Sequence, residues 1–487
     1  MGEHLYLIVI KMIPKQEILD RSQEWQLRPN VVEKDYVIGW LLWGLANFPP
    51  LKDTWIFKGG TCLKKCFIET YRFSEDLDFT ILPNGIIRAT EVAAMLPDLL
   101  KPVNEASGID FSIQFPKFRD RPTFGSTEGR IYYQGPLQIP SPPAVKFDLN
   151  GTEEVVQPSV LRTIAHPYGD SFPENSNKTV RCYGLEEVFA EKIRALGERY
   201  RPRDLYDVVN LYRRRDLRIA PSLILSVLEK KCQSKGIPVP TYESLVNSPL
   251  HAELESEWAN MLAHQLPALP PIEAFLSELQ TIFKWLRGEV EPVQLQSIDA
   301  VDENIDQQWT PPPTVWRWGR GIPLEPVRFA GSNRLCVDLT YNDTVRRIEP
   351  YSLRRTQAGN ILLFAIKPQS GQIRAYRIDR IQSVHVTTQP FAPRYQIEFS
   401  PTGLVAASEA LPALEIGGRP RSFGSPRTSR GRTQSFGRVT YIIECSYCSK
   451  KFRRSTRNFT LRTHKDSFGY GRCPGSGRRG SLVNTTY

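Results

Sequence analysis

The sequence contains no apolar run long enough to cross a membrane. Its apolar N-terminal stretch, residues 5–12, falls well short of the roughly 20 residues that a spanning helix needs, and no small-residue cleavage site follows it. Cysteine is also scarce, with 8 residues in 487, and this excludes a small scaffold held together by disulfides. We therefore expect a cytoplasmic protein with no targeting signal and no membrane partner.

Acidic residues are nearly absent from the C-terminal part of the chain. Residues 417–487 hold 16 Lys and Arg but only 2 Asp and Glu, a net charge of +14, whereas residues 1–416 carry −3. A nearly neutral body with a basic tail predicts a polyanionic partner at the C-terminus, with nucleic acid as the first choice. The alternative is a tail that only improves solubility.

The hydrophobic pattern predicts several domains and shows no solenoid repeat. Residues 12–288 begin with a helical segment, continue with strands near 54–58, 76–82 and 144–149, and end with helices over 185–199 and 203–214. This order predicts an α/β domain with a mixed sheet, flanking helices and a helical C-terminal half. Residues 289–326 include three consecutive prolines and are predicted as a linker.

The rest of the chain divides into three further segments. Residues 327–400 contain five short strand candidates separated by turn residues, a pattern typical of a small β-barrel. Residues 401–438 are predicted as a flexible basic tether that is rich in Gly, Ser and Arg over its second half. Residues 439–487 form a last compact module.

The most specific motif is FKGGTCLKKCFIETYRFSEDLDF at residues 57–79. Asp76 and Asp78 stand two apart on a predicted strand, which places both carboxylates on one face, where hard oxygen ligands suit Mg²⁺. Gly59, Gly60 and Thr61 open a short helix, with Thr61 as its cap, and the glycines let backbone N–H groups approach a triphosphate. The alternative for the two acids is a solvated strand edge.

A third carboxylate comes from VKFDLNG at residues 145–151. Asp148 would complete a two-metal site for in-line phosphoryl displacement. Lys146 would share its face of the strand and is predicted, with Gly59, Gly60 and Thr61, to bind the nucleotide.

These motifs resemble the AbiEii/AbiGii family of nucleotidyltransferase toxins, within the polymerase-β-like superfamily. The resemblance covers about residues 12–285 and also rests on VEKDY at 32–36 and LEEVFAEKIRALGERYRPRDLYDV at 185–208. It implies Asp76 and Asp78 as metal ligands and Ser74 as a nucleotide contact. It also implies Lys192 as a phosphate-binding or charge-stabilising group, and Asp204 or Asp207 as a further catalytic carboxylate.

Two of these roles have alternatives in the sequence itself. Lys192 stands at the edge of a buried helical stripe, where it would neutralise Asp204 and Asp207, which lie three apart on one helix face, or would simply be exposed. The same two carboxylates have an alternative pairing with Arg201 and Arg203.

The β-domain over residues 327–400 resembles the WYL domain, which is associated with nucleic-acid or nucleotide sensing, although Ile361-Leu362-Leu363 replaces the Trp-Tyr-Leu tripeptide. Arginines interleaved with Tyr351 and Tyr376 predict phosphate contacts and base stacking. The alternative is a structural barrel with a solvated basic face. The predicted nucleic-acid-binding residues are Arg347, Arg374, Arg377 and Arg380, together with Arg453 and Arg454 in the C-terminal module.

That C-terminal module contains a zinc-ligand pattern. Cys445 and Cys448 are separated by two residues, and His464 with Cys473 completes a Cys₃His set for one structural Zn²⁺. The other five cysteines are scattered through the chain.

Together these features predict a Mg²⁺-dependent nucleotidyltransferase that moves NMP from an NTP to an RNA acceptor, with tRNA as the first choice. The resemblance implies a toxin or phage-defence role controlled by a separate antitoxin protein. Two other hypotheses are a non-catalytic nucleic-acid-sensing regulator and nucleotidylation of a protein hydroxyl.

Overall fold

The computed structural model describes residues 12–68, 71–121, 125–214, 217, 219–298, 304–306, 309, 324–399, 440–444, 451–454, 461 and 481–486. These residues fall into two compact units that divide between residues 412 and 413. No described helix has the length and apolar composition needed to span a bilayer.

Three helices open the first unit: α1 (Lys15–Trp25), α2 (Pro29–Ala46) and α3 (Pro49–Lys52). Pro29 starts α2 because its fixed φ suits the first helical turn, where no N–H partner is required. Helix α2 is apolar on nearly every side, and the fully buried Trp40 lies in its second half. This helix is therefore surrounded by protein and forms the centre of the N-terminal core.

A mixed seven-stranded sheet follows, in the order β3-β4-β5-β2-β1-β7-β6. Its strands are β1 (Trp55–Lys58), β2 (Asp76–Ile81), β3 (Lys117–Arg121), β4 (Ser126–Tyr132), β5 (Ala144–Asn150), β6 (Val160–Thr163) and β7 (Thr179–Cys182). The pairs β2–β5 and β1–β7 are parallel and the other neighbours are antiparallel. The predicted mixed sheet is confirmed, and the predicted strands at 54–58, 76–82 and 144–149 are its central members β1, β2 and β5.

The connection from β1 to β2 is helical in two pieces. A short α4 (Gly59–Cys62) runs directly into a π-helix over Leu63–Phe67. Thr61 lies inside this run and its hydroxyl donates a hydrogen bond to the backbone oxygen of Asp76. The prediction that Thr61 caps the helix is therefore wrong, because the helix already begins at Gly59. Helix α5 (Ala89–Ser107) follows β2 and packs against α2.

The second half of the domain is helical, as predicted. It contains α6 (Leu185–Arg199), α7 (Pro202–Arg213), α8 (Pro221–Lys235), α9 (Tyr242–Val246), α10 (His251–Leu262), α11 (Glu273–Leu276) and α12 (Leu279–Leu286). Each of α6 and α7 turns an apolar stripe inward, with Ile193 and Leu205 fully buried.

The predicted β-domain is an antiparallel five-stranded sheet in the order β11-β10-β9-β8-β12, preceded by α13 (Leu324–Asn333). Its strands are β8 (Leu335–Tyr341), β9 (Thr344–Arg355), β10 (Ile361–Ile366), β11 (Ile373–Arg377) and β12 (Ile381–Pro390). The long β9 pairs with β8 through one half and with β10 through the other. Strands β11 and β12 are the edges of this sheet.

One continuous hydrophobic core joins the two parts of the first unit. Helix α13 packs against α1 and α7, and the Gln26 amide donates to the Val384 backbone oxygen at 2.7 Å. Glu278 accepts from both Arg213 at 2.6 Å and Arg334 at 2.7 Å. The described residues of these two parts therefore pack against each other within the first unit.

The second unit contains a three-stranded antiparallel sheet in the order β14-β13-β15. Its strands are β13 (Thr440–Glu444), β14 (Lys451–Arg454) and β15 (Ser481–Thr486). The proposed division of the whole chain at residues 288, 326, 400 and 438 stays a prediction.

Candidate functional site

The three predicted metal-binding carboxylates lie side by side on two neighbouring strands. Asp78 on β2 is in register with Asp148 on the parallel strand β5, and Asp76 is in register with Lys146. Burial alternates along β5, so Lys146 and Asp148 share one face while Val145, Phe147 and Leu149 enter the core. The side chains of Asp76 and Asp148 are 36% and 31% exposed, so this face is open to a solvated ligand.

The pKa of Asp78 is shifted by its surroundings. Burial and the neighbouring carboxylates of Asp76 and Asp148 raise the pKa of Asp78 to about 6, while Lys58 and Lys192 act in the opposite direction. Mutual repulsion of like charges on one face is relieved by a cation. This donor set of carboxylate oxygens fits Mg²⁺, which prefers a few carboxylates together with water and phosphate oxygens.

The glycine turn packs directly against these acids. Gly59 has φ +81°, and a Cβ at this position would lie 2.3 Å from Oδ2 of Asp78. A Cβ on Gly60 would lie 2.4 Å from Nη2 of Arg72. Close approach to side chains of the site therefore favours glycine at both positions, and at Gly59 the positive φ favours it as well. Ser74 is buried, two residues before Asp76, in the segment that leads into β2.

Asp204 and Asp207 differ from the strand carboxylates because both are fully buried and already paired with cations. Asp207 receives two hydrogen bonds from Arg72, each at 2.7 Å, and lies 2.8 Å from Nζ of Lys192. Asp204 receives bonds from Arg199 at 2.7 and 3.0 Å and lies 3.4 Å from Nζ of Lys192. The two acids hold Lys192 between them.

Electrostatics agree with this arrangement. Burial alone would raise the pKa of Asp207. Arg72 and Lys192 instead hold this pKa well below its usual range. The predicted neutralisation by Lys192 is therefore confirmed, whereas the alternative pairing with Arg201 and Arg203 is wrong. Those two arginines instead face Glu253 at 3.0 Å and Asp76 at 4.0 Å.

Sequence reasoning missed three basic residues around the acids. Lys58 is in register with Asp78, forms an ion pair with Glu153 and lies 3.6 Å from Glu191. Burial lowers the pKa of Lys58, although Glu191 and Asp78 oppose this shift. The others are Arg72, which pairs with Asp207, and Arg199, which pairs with Asp204. Lys58 and Arg72 lie within the motif at 57–79, so their position beside the glycines and acids was the available signal.

The predicted nucleic-acid-binding arginines of the β-domain are exposed or half-buried but largely paired locally. Arg347 binds Asp338 at 2.8 Å, Arg377 binds Asp379 at 2.7 Å, and Arg374 donates to Gln372 at 2.7 Å. Arg380 is exposed. The predicted stacking on aromatic rings is wrong, because the rings of Tyr351 and Tyr376 are buried within the domain.

The four predicted zinc ligands, Cys445, Cys448, His464 and Cys473, lie outside the described residues. Strand β13 ends at residue 444 and its antiparallel partner β14 begins at residue 451, with Glu444 opposite Lys451. Arg453 and Arg454 lie on β14, opposite Ile442 and Tyr441.

Comparison with protein families identifies the chain. A model described as "Nucleotidyl transferase AbiEii toxin, Type IV TA system" matches residues 40–284, and a WYL domain model matches residues 324–386. The N-terminal domain is therefore a nucleotidyltransferase. Because the first match covers half of the chain, the protein belongs to the AbiEii nucleotidyltransferase toxin family.

Among solved structures, the chain is similar to MenT4, a nucleotidyltransferase toxin from Mycobacterium tuberculosis H37Rv. The identity is 18%, the match covers 57% of this chain and 88% of MenT4, and the TM-score is 0.39. A score this low supports no inference about function. No curated protein matches the chain.

Proposed function

We propose that this nucleotidyltransferase moves NMP from an NTP to an RNA acceptor, with tRNA as the first candidate, and that it requires Mg²⁺. The observation that carries the proposal is that Asp78 is in register with Asp148 and lies two residues from Asp76. The glycine turn packs against Asp78, and Lys192 is close enough to lower the pKa of Asp78. In this reaction the acceptor oxygen bonds to the α-phosphorus and pyrophosphate leaves.

The residues of the chain have separable tasks in this reaction. Asp76, Asp78 and Asp148 would hold Mg²⁺, which when bound neutralises phosphate charge and favours ionisation of the attacking hydroxyl. Gly59 keeps the turn close to Asp78 because it carries no side chain. Lys192, fixed by Asp204 and Asp207, presents a positive charge to the developing negative charge of the phosphates.

The tail supports RNA as the acceptor. Its net charge of +14 is carried by residues 417–487, whereas the body is slightly negative. We propose that this segment, with a Zn²⁺ module built on Cys445, Cys448, His464 and Cys473, binds the phosphate backbone. The type IV toxin–antitoxin description of the family favours regulation by a separate antitoxin.

The acceptor is tested by incubating the full chain and Mg²⁺ with each labelled NTP, in the presence of either bulk RNA or total protein. We expect label in a defined RNA size class and at least about a 100-fold loss for Asp78→Asn, because one metal ligand is removed without opening a cavity. Asp53→Asn is the matched control, because the Asp53 side chain is 63% exposed and pairs with Arg181 at 3.3 Å rather than with a residue of the carboxylate site. Label in protein would favour nucleotidylation of a hydroxyl, and no label in either pool would favour a regulator.

RNA binding is tested separately by deleting residues 417–487. We expect weaker RNA affinity and a flatter salt dependence, because each lost phosphate contact removes about 0.7–0.9 of the log–log slope. Unchanged affinity and slope would assign the tail to solubility and place the RNA contacts on the first unit.

A further inference from the structure

The fold brings together three cysteines that are far apart in sequence. Cys62 ends α4, Cys66 lies in the adjoining π-helix, and Cys182 ends β7. Their sulfur atoms all lie within 4.8 Å of one another, and all three residues are fully buried. From the sequence these cysteines were predicted to be scattered. The structure shows that this prediction is wrong, because the three lie together.

Each element has a structural reason to deliver its cysteine to this point. Strand β7 runs parallel to β1, with Cys182 in register with Phe57, immediately before the turn that starts α4. Cys62 and Cys66 are four residues apart and therefore project from the same side of the helical run. The run widens into a π-helix here, a distortion that is frequent at functional sites.

The spacing of the sulfurs suits direct coordination of a single ion. A metal with bonds of about 2.3 Å to three thiolates places their sulfurs roughly 3.7–4.0 Å apart, within the limit observed here. Among the described residues, no His, Asp or Glu joins this group to supply a fourth ligand of the kind that structural Zn²⁺ requires. Three thiolates without a fourth donor favour a soft ion.

The surroundings compensate the charge of such a group. Arg162 on β6 donates to the backbone oxygen of Cys66 at 3.4 Å, and its guanidinium lies 5.3 Å from the centre of the Phe67 ring.

We propose that Cys62, Cys66 and Cys182 form a buried three-thiolate site for one soft metal ion, with Cu(I) bound in preference to Zn²⁺. The site is separate from the carboxylates and does not depend on the proposed RNA transfer. An ion bound there links β7, α4 and the π-helix next to Thr61, whose hydroxyl holds the backbone of Asp76.

The test uses the full chain with Cys445→Ser and Cys448→Ser, so that the predicted zinc module does not contribute. Under anaerobic reducing conditions this protein is titrated with Cu(I) against a competing chelator, and thiolate-to-copper charge-transfer absorption is followed in the ultraviolet. We expect one Cu(I) per chain, at least about 100-fold weaker binding after Cys182→Ser, and weaker retention of Zn²⁺ under the same conditions.

Cys232→Ser is the matched control, because Cys232 on α8 is equally buried but lies outside the cluster. It should leave Cu(I) binding unchanged. Equal uptake and absorption by the Cys182→Ser protein, or no uptake by the parent, would overturn the proposal, as would tighter retention of Zn²⁺ than of Cu(I).

A second measurement avoids dependence on the folding of the Cys182→Ser variant. The parent protein is alkylated briefly near its unfolding midpoint, with and without Cu(I), and modified cysteines are identified by mass spectrometry. We expect Cu(I) to protect Cys62, Cys66 and Cys182 at least about tenfold more than Cys232, because a sulfur bound to the ion is blocked from alkylation, whereas Cys232 gains only the stabilisation of the fold that all four share. Equal protection of all four would contradict a specific site.

Discussion

Arg72 is expected to be the most costly single charge to remove near the site. It makes two hydrogen bonds of 2.7 Å to Asp207 and a third of 3.1 Å to Gln265. The side chains of Arg72 and Asp207 are only 2% and 0% exposed. Removing one member of a buried ion pair costs about 3–5 kcal/mol, because the partner is left as an uncompensated charge. Since Asp207 keeps Lys192 at 2.8 Å, we expect Arg72→Met to cost about 3 kcal/mol.

The measurement is urea unfolding of the full chain, followed by circular dichroism. For a slope near 3 kcal/mol per M, a loss of about 3 kcal/mol lowers the midpoint by about 1 M. The matched control is Arg201→Met, because Arg201 pairs with Glu253 at a similar distance of 3.0 Å but the two side chains are 43% and 52% exposed. That exposed pair should contribute no more than about 1 kcal/mol.

A double-mutant cycle separates the ion pair from loss of packing. Asp207→Asn in the Arg72→Met background removes the second charge, so the double variant should lose at least about 1.5 kcal/mol less than the two single losses combined. Additive losses, or an Arg72→Met midpoint no lower than that of Arg201→Met, would refute the assignment of Arg72 as the compensating charge of Asp207.

Three further results are expected. Lys192→Gln should lower kcat/KM for transfer about 100-fold but change the urea midpoint less than Arg72→Met, because both carboxylates that hold the lysine keep an arginine partner. Gly59→Ala should abolish transfer, because the added Cβ would clash with Asp78. Gly236→Ala is the control: its φ is also positive, at +64°, but no atom lies within 4 Å of an added Cβ, so it should cost only roughly 1 kcal/mol of backbone strain. Equal effects of the two variants on stability and on activity would contradict this. Burial raises the pKa of Glu24 from 4.5 to about 7, so between these pH values the folded state binds a proton that the unfolded state has lost, and the free energy of unfolding falls as pH rises. Glu24→Gln should reduce this fall by up to about 3 kcal/mol, measured as the difference between the unfolding free energies at pH 4 and pH 8.

Local patterns in the sequence were sufficient to predict the strand and the helix that carry the site residues. Strand alternation placed Asp76 and Asp78 on one face, and helical periodicity predicted the bounds of α6 at residues 185–199 as the structure has them. Both patterns depend on the direction of side chains along a single element, which the backbone geometry of strand or helix determines. The turn-separated strands of the WYL domain were found for the same reason.

Contacts between distant elements were decided only by the tertiary structure. Asp207 pairs with Arg72, 135 residues away, because α7 packs beside the segment before β2, and no local pattern specifies which arginine a buried acid meets. Cys182 reaches Cys62 and Cys66 because β7 pairs with β1, and strand order is set by burial of the whole sheet rather than by the residues of one strand. The sequence alone determined which chemical groups the chain offers, whereas long-range packing determined which of them are buried, paired or open to a ligand.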